Sequence, residues 1–104
     1  MQTSEKMTAL IYSTSRPRVK DNSKIIHFLI QKGADINAQE IYGNTALIYA
    51  VRDTNSDADY MNNVKALVES GADLNIEDGV GRRALFYSQF NRELSNYLRS
   101  KGAK

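Results

Sequence analysis

The five-residue string TALIY occurs twice, at residues 8–12 and 45–49, and a related string, RALFY, spans residues 83–87. A second string follows in the same order, as GADIN at residues 33–37 and GADLN at residues 71–75. The first string returns after 37 residues and its variant after a further 38. Constant order at nearly constant spacing indicates an array of structural repeats.

Each repeat is predicted to contain two short helices. Thr8 and Thr45 are suitable N-cap residues, because a threonine hydroxyl can accept a hydrogen bond from an amide of the first turn. Apolar residues follow at helical spacing in the second half of each unit: Ile25, Ile26, Phe28 and Leu29 in the first, and Val64, Leu67 and Val68 in the second. Asn22 or Ser23 is expected to start the second helix of the first unit, and Gly33, Gly71 and Gly102 are expected to end the second helices.

Polar, turn-rich connectors are predicted at residues 35–44 and 73–82, each with a late glycine. A single helix pair cannot bury its apolar face, so neighbouring pairs are expected to stack and to end in polar capping faces. The third unit carries polar residues where the earlier units are apolar, namely Gln89, Ser95 and Arg99. We therefore expect it to close the array and the chain to end there.

The pattern resembles the ankyrin-repeat family, whose motif runs G-x-T-P-L-H-x-A-A and then L-L-x-x-G-A-D-V-N-A-x-D. The second unit matches the first half at residues 43–51 and the second half at residues 67–78, and the first unit repeats the second half at residues 29–40. The resemblance covers essentially the whole chain. It implies an all-α solenoid of stacked helix-turn-helix units joined by β-hairpin-like connectors, in one domain with repeats at about 5–40, 41–78 and 79–104.

The chain departs from this motif in three ways. Alanine replaces the motif's proline at Ala9, Ala46 and Ala84, and apolar residues replace its histidine at Ile11, Ile48 and Phe86. We expect apolar packing to substitute for the family's threonine-to-histidine hydrogen bond. The units also exceed the usual length of about 33 residues. The surplus lies at residues 15–23 and 53–63, where either longer helices or a protruding loop would account for it.

The resemblance implies binding to a partner protein through the concave face and the connector tips. Carried over by position, the expected binding residues are Tyr12, Arg16, Ile41, Tyr42, Tyr49, Arg52, Asp53, Val80, Arg82, Tyr87 and Phe90. The repeated tyrosines are expected to form a ladder. Tyrosine and arginine are enriched in interface hot spots, but rings that only fill space between stacked helices would give the same pattern.

The sequence patterns that would indicate a calcium site, a basic binding loop or a transition-metal site are weaker. Asp53, Asn55, Asp57 and Asp59 alternate like the start of a calcium loop, but that loop's later glycine and glutamate are replaced by Ala58 and Val64, which favours a solvated acidic loop. Arg16, Arg18, Lys20 and Lys24 are interpreted mainly as a solvated basic insertion. His27 is the only histidine and cysteine is absent, so no transition-metal site is expected.

Charge and composition limit the remaining functions. Residues 1–40 carry a net charge of +2, residues 41–78 one of −5 and residues 79–104 one of +5. The acidic middle argues against the continuous basic face of a nucleic-acid binder. There is no apolar run of membrane-spanning length, and we expect a cytoplasmic location.

The sequence therefore predicts a non-enzymatic protein-interaction module without a cofactor, present as a monomer or weakly self-associating. A narrower alternative is a small inhibitor or immunity-type protein that masks one enzyme or toxin. A nucleic-acid-binding protein is the weaker alternative.

Overall fold

The computed structural model describes residues 9–15, 23–56 and 61–104. This part of the chain contains three pairs of helices, all joined without a β-strand. The helices are α1 (Ala9–Ser15), α2 (Ser23–Gln31), α3 (Ala46–Ser56), α4 (Met61–Glu69), α5 (Ala84–Tyr87) and α6 (Arg92–Ser100). The predicted all-α repeat architecture is confirmed.

Local signals in the sequence set the helix ends. The Thr45 hydroxyl accepts a hydrogen bond of 3.2 Å from the Ile48 amide, as expected for the cap of α3. Asn91 caps α6 in the same way, through a bond of 3.1 Å from the Leu94 amide. Glycines with positive φ, at Gly33, Gly71 and Gly102, follow the second helix of each pair. The predicted cap Thr8 lies outside the described residues.

The helices stack in two layers. The first helices α1, α3 and α5 pack side by side, and α2 packs on α4 in the second layer, while each first helix also contacts its own second helix. The core between the layers is aliphatic. Its largest fully buried apolar side chains are Leu10, Ile11, Ile26, Leu47, Ile48, Val51, Val64, Leu67, Leu94 and Leu98.

Asparagines of the GADIN and GADLN strings join successive units. Asn37 Oδ1 accepts a hydrogen bond of 2.8 Å from the Asp73 amide of the next unit. Asn75 Oδ1 accepts one of 2.9 Å from the Lys104 amide. An asparagine at the same position of the repeat therefore bonds the connector of one unit to the backbone of the next unit.

Apolar packing replaces the motif's histidine in two units. Ile11 and Ile48 are each 1% exposed and belong to the core, as predicted. Phe86, at the equivalent position of the third unit, is 42% exposed and has the Arg82 guanidinium over its ring at 4.4 Å. Among the described residues no helix pair stacks over this ring, and the Arg82 guanidinium partly covers it.

The apolar residues of α2 divide between core and surface. Ile26 is fully buried, whereas Ile25 and Phe28 are 52% and 56% exposed. Their equivalents in the second unit, Asn63 and Ala66, are 2% and 3% exposed. Among the described residues these two positions are therefore buried in the second unit and exposed in the first.

The last unit is polar at its outer end. Gln89 and Arg99 are exposed, as expected for a capping unit. Ser95 differs from this expectation because it is 5% exposed and turned inward. Its hydroxyl donates a 2.7 Å hydrogen bond to the Ser88 carbonyl and lies 2.9 Å from the Ser88 hydroxyl. A buried serine pair thus replaces the apolar contact of the earlier units.

The surplus length of the second unit is partly helical, since α3 extends to Ser56 and is the longest described helix. The corresponding surplus of the first unit, at residues 16–22, lies outside the described residues, as do residues 57–60. Over the stretches that are described, no helix has both the length and the apolar character needed to cross a membrane.

Candidate partner-binding cleft

The connector tips are hairpin turns, as predicted. In the first, the Glu40 amide donates to the Asn44 carbonyl at 3.0 Å and the Gly43 amide to the Glu40 carbonyl at 2.8 Å. In the second, the Asp78 amide donates to the Arg82 carbonyl at 2.8 Å. Each tip therefore starts at an acidic residue and closes four residues later.

The Glu40 carboxylate holds the first tip together. Glu40 Oε1 accepts hydrogen bonds from the amides of Tyr42, at 2.7 Å, and Asn44, at 2.9 Å. Glu40 Oε2 accepts one of 2.9 Å from the Tyr49 hydroxyl. This carboxylate is 5% exposed, and its partners satisfy both oxygens.

Asp78 repeats this arrangement in the second tip. Asp78 Oδ1 accepts from the amides of Val80, at 3.0 Å, and Arg82, at 2.9 Å. Asp78 Oδ2 accepts from the Tyr87 hydroxyl. Burial alone would raise the pKa of this carboxyl, but the bonds from Tyr87 and the two amides outweigh it and lower the pKa below its ordinary value.

Tyr49 and Tyr87 therefore have a structural role, and both rings are half-buried. Burial raises the pKa of Tyr49 and of Tyr87, and the neighbouring carboxylate of Glu40 or Asp78 raises it further. In these two units the tyrosine links the first helix to the tip that precedes it. The side chains of Tyr12 and Arg16, the first-unit members of the predicted surface, lie outside the described residues.

Successive tips are joined backbone to backbone. The Gly79 amide donates a 2.8 Å hydrogen bond to the Tyr42 carbonyl. A Cβ on Gly79 would stand 2.7 Å from that carbonyl oxygen, so only glycine permits the approach. The Gln39 amide group adds two hydrogen bonds of 2.8 Å, one to the Gly43 carbonyl and one to the Glu77 carbonyl across the unit boundary. The two tips therefore form one fixed wall.

A cleft of about 630 Å³ lies between this wall and α3, and we call it the tip cleft. Its lining is Ile41, Tyr42, Asn44, Tyr49, Arg52, Asp78, Gly79 and Val80. Three of its apolar side chains are strongly exposed, with Ile41 at 56%, Tyr42 at 70% and Val80 at 72%. Five of the residues predicted to bind a partner are thus brought to one surface: Ile41, Tyr42, Tyr49, Arg52 and Val80.

Arg52 is the exposed charge of the tip cleft. Its guanidinium lies 5.1 Å from the centre of the Tyr87 ring, in the next unit, a distance typical of a cation–π contact. Its positive charge opposes the rise in the pKa of both Tyr49 and Tyr87. Within the described part of the chain Arg52 forms no salt bridge.

The remaining predicted residues lie outside the lining of the cleft. Asp53 is half-buried on α3, and burial raises its pKa while the Arg52 charge lowers it. Arg82 stacks on Phe86 beyond the second tip, and Tyr87 lies beneath Arg52. Phe90 was expected on a first helix, but α5 ends at Tyr87, and Phe90 lies in the turn before α6 with 93% of its surface exposed.

The sequence interpretation missed the two tip carboxylates, Glu40 and Asp78. A signal for them exists, because each stands nine residues before the tyrosine to which it is bonded. The side-chain Oδ1 of Asn44, in the first tip, is buried and has no hydrogen-bond partner among the described residues.

The calcium-loop alternation begins inside a helix, since Asp53 and Asn55 belong to α3. Asp57 and Asp59 lie outside the described residues. Over residues 9–15, 23–56 and 61–104 no group of three or more histidine, cysteine or acidic residues is arranged to hold a metal ion.

Comparison with known proteins agrees with this geometry. The family model described as ankyrin repeats (3 copies) matches residues 1–78 and, in a second alignment, residues 18–104. No curated protein matches the chain. The two alignments together span the full length, and the hairpin tips, glycine-ended second helices and two-layer stack are what the repeat motif requires. The chain belongs to the ankyrin-repeat family.

Proposed function

We propose that this protein binds a partner protein non-covalently through the tip cleft. Ankyrin repeats are generally protein–protein interaction modules. The observation that supports the cleft as the site is the exposure of Ile41, Tyr42 and Val80 around its rim. Apolar side chains gathered on one exposed surface are typical of an interaction site, because their burial on binding is favourable.

The rigidity of the cleft supports the same proposal. Its wall is fixed by the bond from Gly79 to Tyr42 and by the two bonds of Gln39. Its far side is α3, which Tyr49 ties to the first tip. A surface that is ordered before binding loses little conformational entropy when the partner arrives.

The proposal extends to a non-enzymatic role in the cytoplasm. A partner that is an enzyme or toxin silenced by the complex would make the protein an inhibitor, and a partner that stays active would make it an adaptor. Both use the same cleft, so the identity of the captured protein decides between them.

Site-specific photo-crosslinking tests the proposal. A benzophenone amino acid is placed at Val80, on the rim of the cleft, in cells that produce the protein. The matched control carries it at Ile25, which is also exposed but lies on α2 in the other helix layer. We expect a protein adduct from position 80 that is absent from position 25 and is lost when Tyr42→Ala is added.

Two results would contradict the proposal. One is an adduct from position 25 with none from position 80, which would move the interface to the second-helix layer. The other is a crosslink from position 80 to nucleic acid, which would favour the alternative that the protein binds nucleic acid.

A further inference from the structure

The charges around the tip cleft indicate what its partner must present, and this inference rests on the proposed function. The two carboxylates of the tips are used internally. Both oxygens of Glu40 and both oxygens of Asp78 accept hydrogen bonds from tip amides and from tyrosine hydroxyls. A basic side chain of a partner would therefore find no acidic group ready to receive it among the residues that line the cleft.

Arg52 is in the opposite situation. It is the only residue of the lining that is both charged and exposed, and no carboxylate in the described part of the chain pairs with it. Its neighbour Asp53 attracts it electrostatically without forming an ion pair. An exposed guanidinium of this kind keeps its planar set of N–H donors for a carboxylate.

The Tyr87 ring helps to fix the position of that guanidinium. Arg52 stands over the ring at 5.1 Å, and the ring is itself fixed because its hydroxyl donates to Asp78. Since Tyr87 belongs to the third unit and Arg52 to the second, the charge is fixed across the unit boundary. A preorganised arginine loses less rotamer freedom when it binds a carboxylate.

The apolar rim supplies the second half of the recognition. Ile41, Tyr42 and Val80 project from the two tips around the same cleft as Arg52. A ligand that reached Arg52 would therefore also contact this rim. A ligand that uses both the Arg52 charge and the apolar rim must carry an acidic group next to an apolar one.

We propose that the tip cleft binds a segment of the partner protein in which an aspartate or glutamate stands beside a large apolar residue. The carboxylate pairs with Arg52 above the Tyr87 ring, and the apolar side chain packs between the tips against Tyr42 and Val80. A charge-assisted bond of this kind, added to apolar burial, gives both affinity and orientation.

A displayed library of random peptides tests this assignment. It is selected on the wild-type protein, on Arg52→Glu and on Arg99→Glu. Arg99 is the matched control because it is also exposed and carries the same charge, but lies on α6 and outside the cleft. Circular dichroism of each variant confirms that it is folded before selection.

We expect the wild type to enrich peptides with an acidic residue beside leucine, isoleucine or phenylalanine. Arg52→Glu should weaken the binding of those peptides by roughly tenfold or more, and Arg99→Glu should leave it unchanged. Peptides enriched without an acidic residue, and bound equally well by Arg52→Glu, would overturn the inference while leaving the cleft as the site.

A second variant separates this failure from failure of the proposed function. The double substitution Tyr42→Ala with Val80→Ser removes the apolar rim from two strongly exposed positions. If the enriched peptides bind it as tightly as the wild type, the cleft is not the binding site and both proposals are wrong. A library that yields no binder for the wild type would count against both as well.

Discussion

The Tyr49 hydroxyl donates a 2.9 Å hydrogen bond to Glu40, a residue nine positions earlier in the chain. The same carboxylate accepts hydrogen bonds from the backbone amides of Tyr42 and Asn44, so one buried side chain connects a first helix to its hairpin tip. Tyr87 and Asp78 repeat the arrangement one unit later. In the second and third units the tyrosine that ends the TALIY-like string is therefore a structural link, and Tyr49 is also part of the cleft lining.

Removing this hydroxyl should destabilise the protein. We expect Tyr49→Phe and Tyr87→Phe each to lower the free energy of unfolding by about 1 kcal/mol, because each leaves a buried carboxylate oxygen without its donor. Tyr42→Phe is the control, since the Tyr42 ring is 70% exposed and its hydroxyl has no described partner. Urea denaturation gives the comparison, and equal losses in all three variants would contradict the assigned role.

High pH should weaken the same link. Burial, and then the bond and charge of the adjacent carboxylate, raise the pKa of Tyr49 and Tyr87 above the ordinary value of about 10. Because the folded pKa is the higher one, the stabilisation is complete below pH 10 or so and is lost as pH rises through the folded pKa.

Ultraviolet titration of the tyrosinate ion measures this effect. We expect Tyr49→Phe and Tyr87→Phe each to remove a component that titrates late in the folded protein. Arg52→Ala, made in the otherwise unchanged protein, should shift the titration of Tyr49 and Tyr87 to still higher pH, because the Arg52 charge lowers the pKa of both hydroxyls. Unchanged titration curves would show that the hydroxyls are free in solution.

The contact between the two tips depends on glycine. Gly79→Ala would place a Cβ 2.7 Å from the Tyr42 carbonyl oxygen and should force the tips apart. We expect a loss of about 1–3 kcal/mol in the free energy of unfolding and faster hydrogen exchange at the amide of residue 79. The neighbouring Val80→Ala is the control, since Val80 is 72% exposed. A fully stable Gly79→Ala protein with slow exchange would mean that the tips do not touch.

The register of α2 gives a prediction about stacking. Ile26→Ala should cost about 2–5 kcal/mol of stability, as expected for a fully buried isoleucine. Ile25→Asn and Phe28→Ala, which install the residues found at the equivalent positions of the second unit, should each cost less than about 0.5 kcal/mol. Chemical denaturation of the three variants checks the order, and a large loss in Ile25→Asn would show that this face is covered.

Much of the fold could be predicted from the residues. Two copies of TALIY and of the GAD string determined the repeat, Thr45 predicted a cap, and the glycines marked helix ends because only they adopt positive φ without strain. The tip residues Ile41, Tyr42 and Val80 were also placed correctly, because their register follows from the repeat.

The sequence did not reveal which polar groups would pair across the connectors. The bond from Tyr49 to Glu40 depends on how far the hairpin folds back over α3, which a repeat motif does not specify. Phe90 was misplaced for a related reason. Equal register with Arg52 predicted a helical position, but α5 stops at Tyr87 and leaves Phe90 in a turn.

The most direct test of the account maps where a selected ligand binds. An amide chemical-shift map is recorded on the labelled protein while the acidic, apolar peptide enriched on the wild type is added. The account predicts that the largest changes cluster at the amides of Ile41, Tyr42, Gly79 and Val80 and at the Arg52 side chain. Changes that cluster instead on the exposed faces of α2 and α4, with the two tips unaffected, would contradict it.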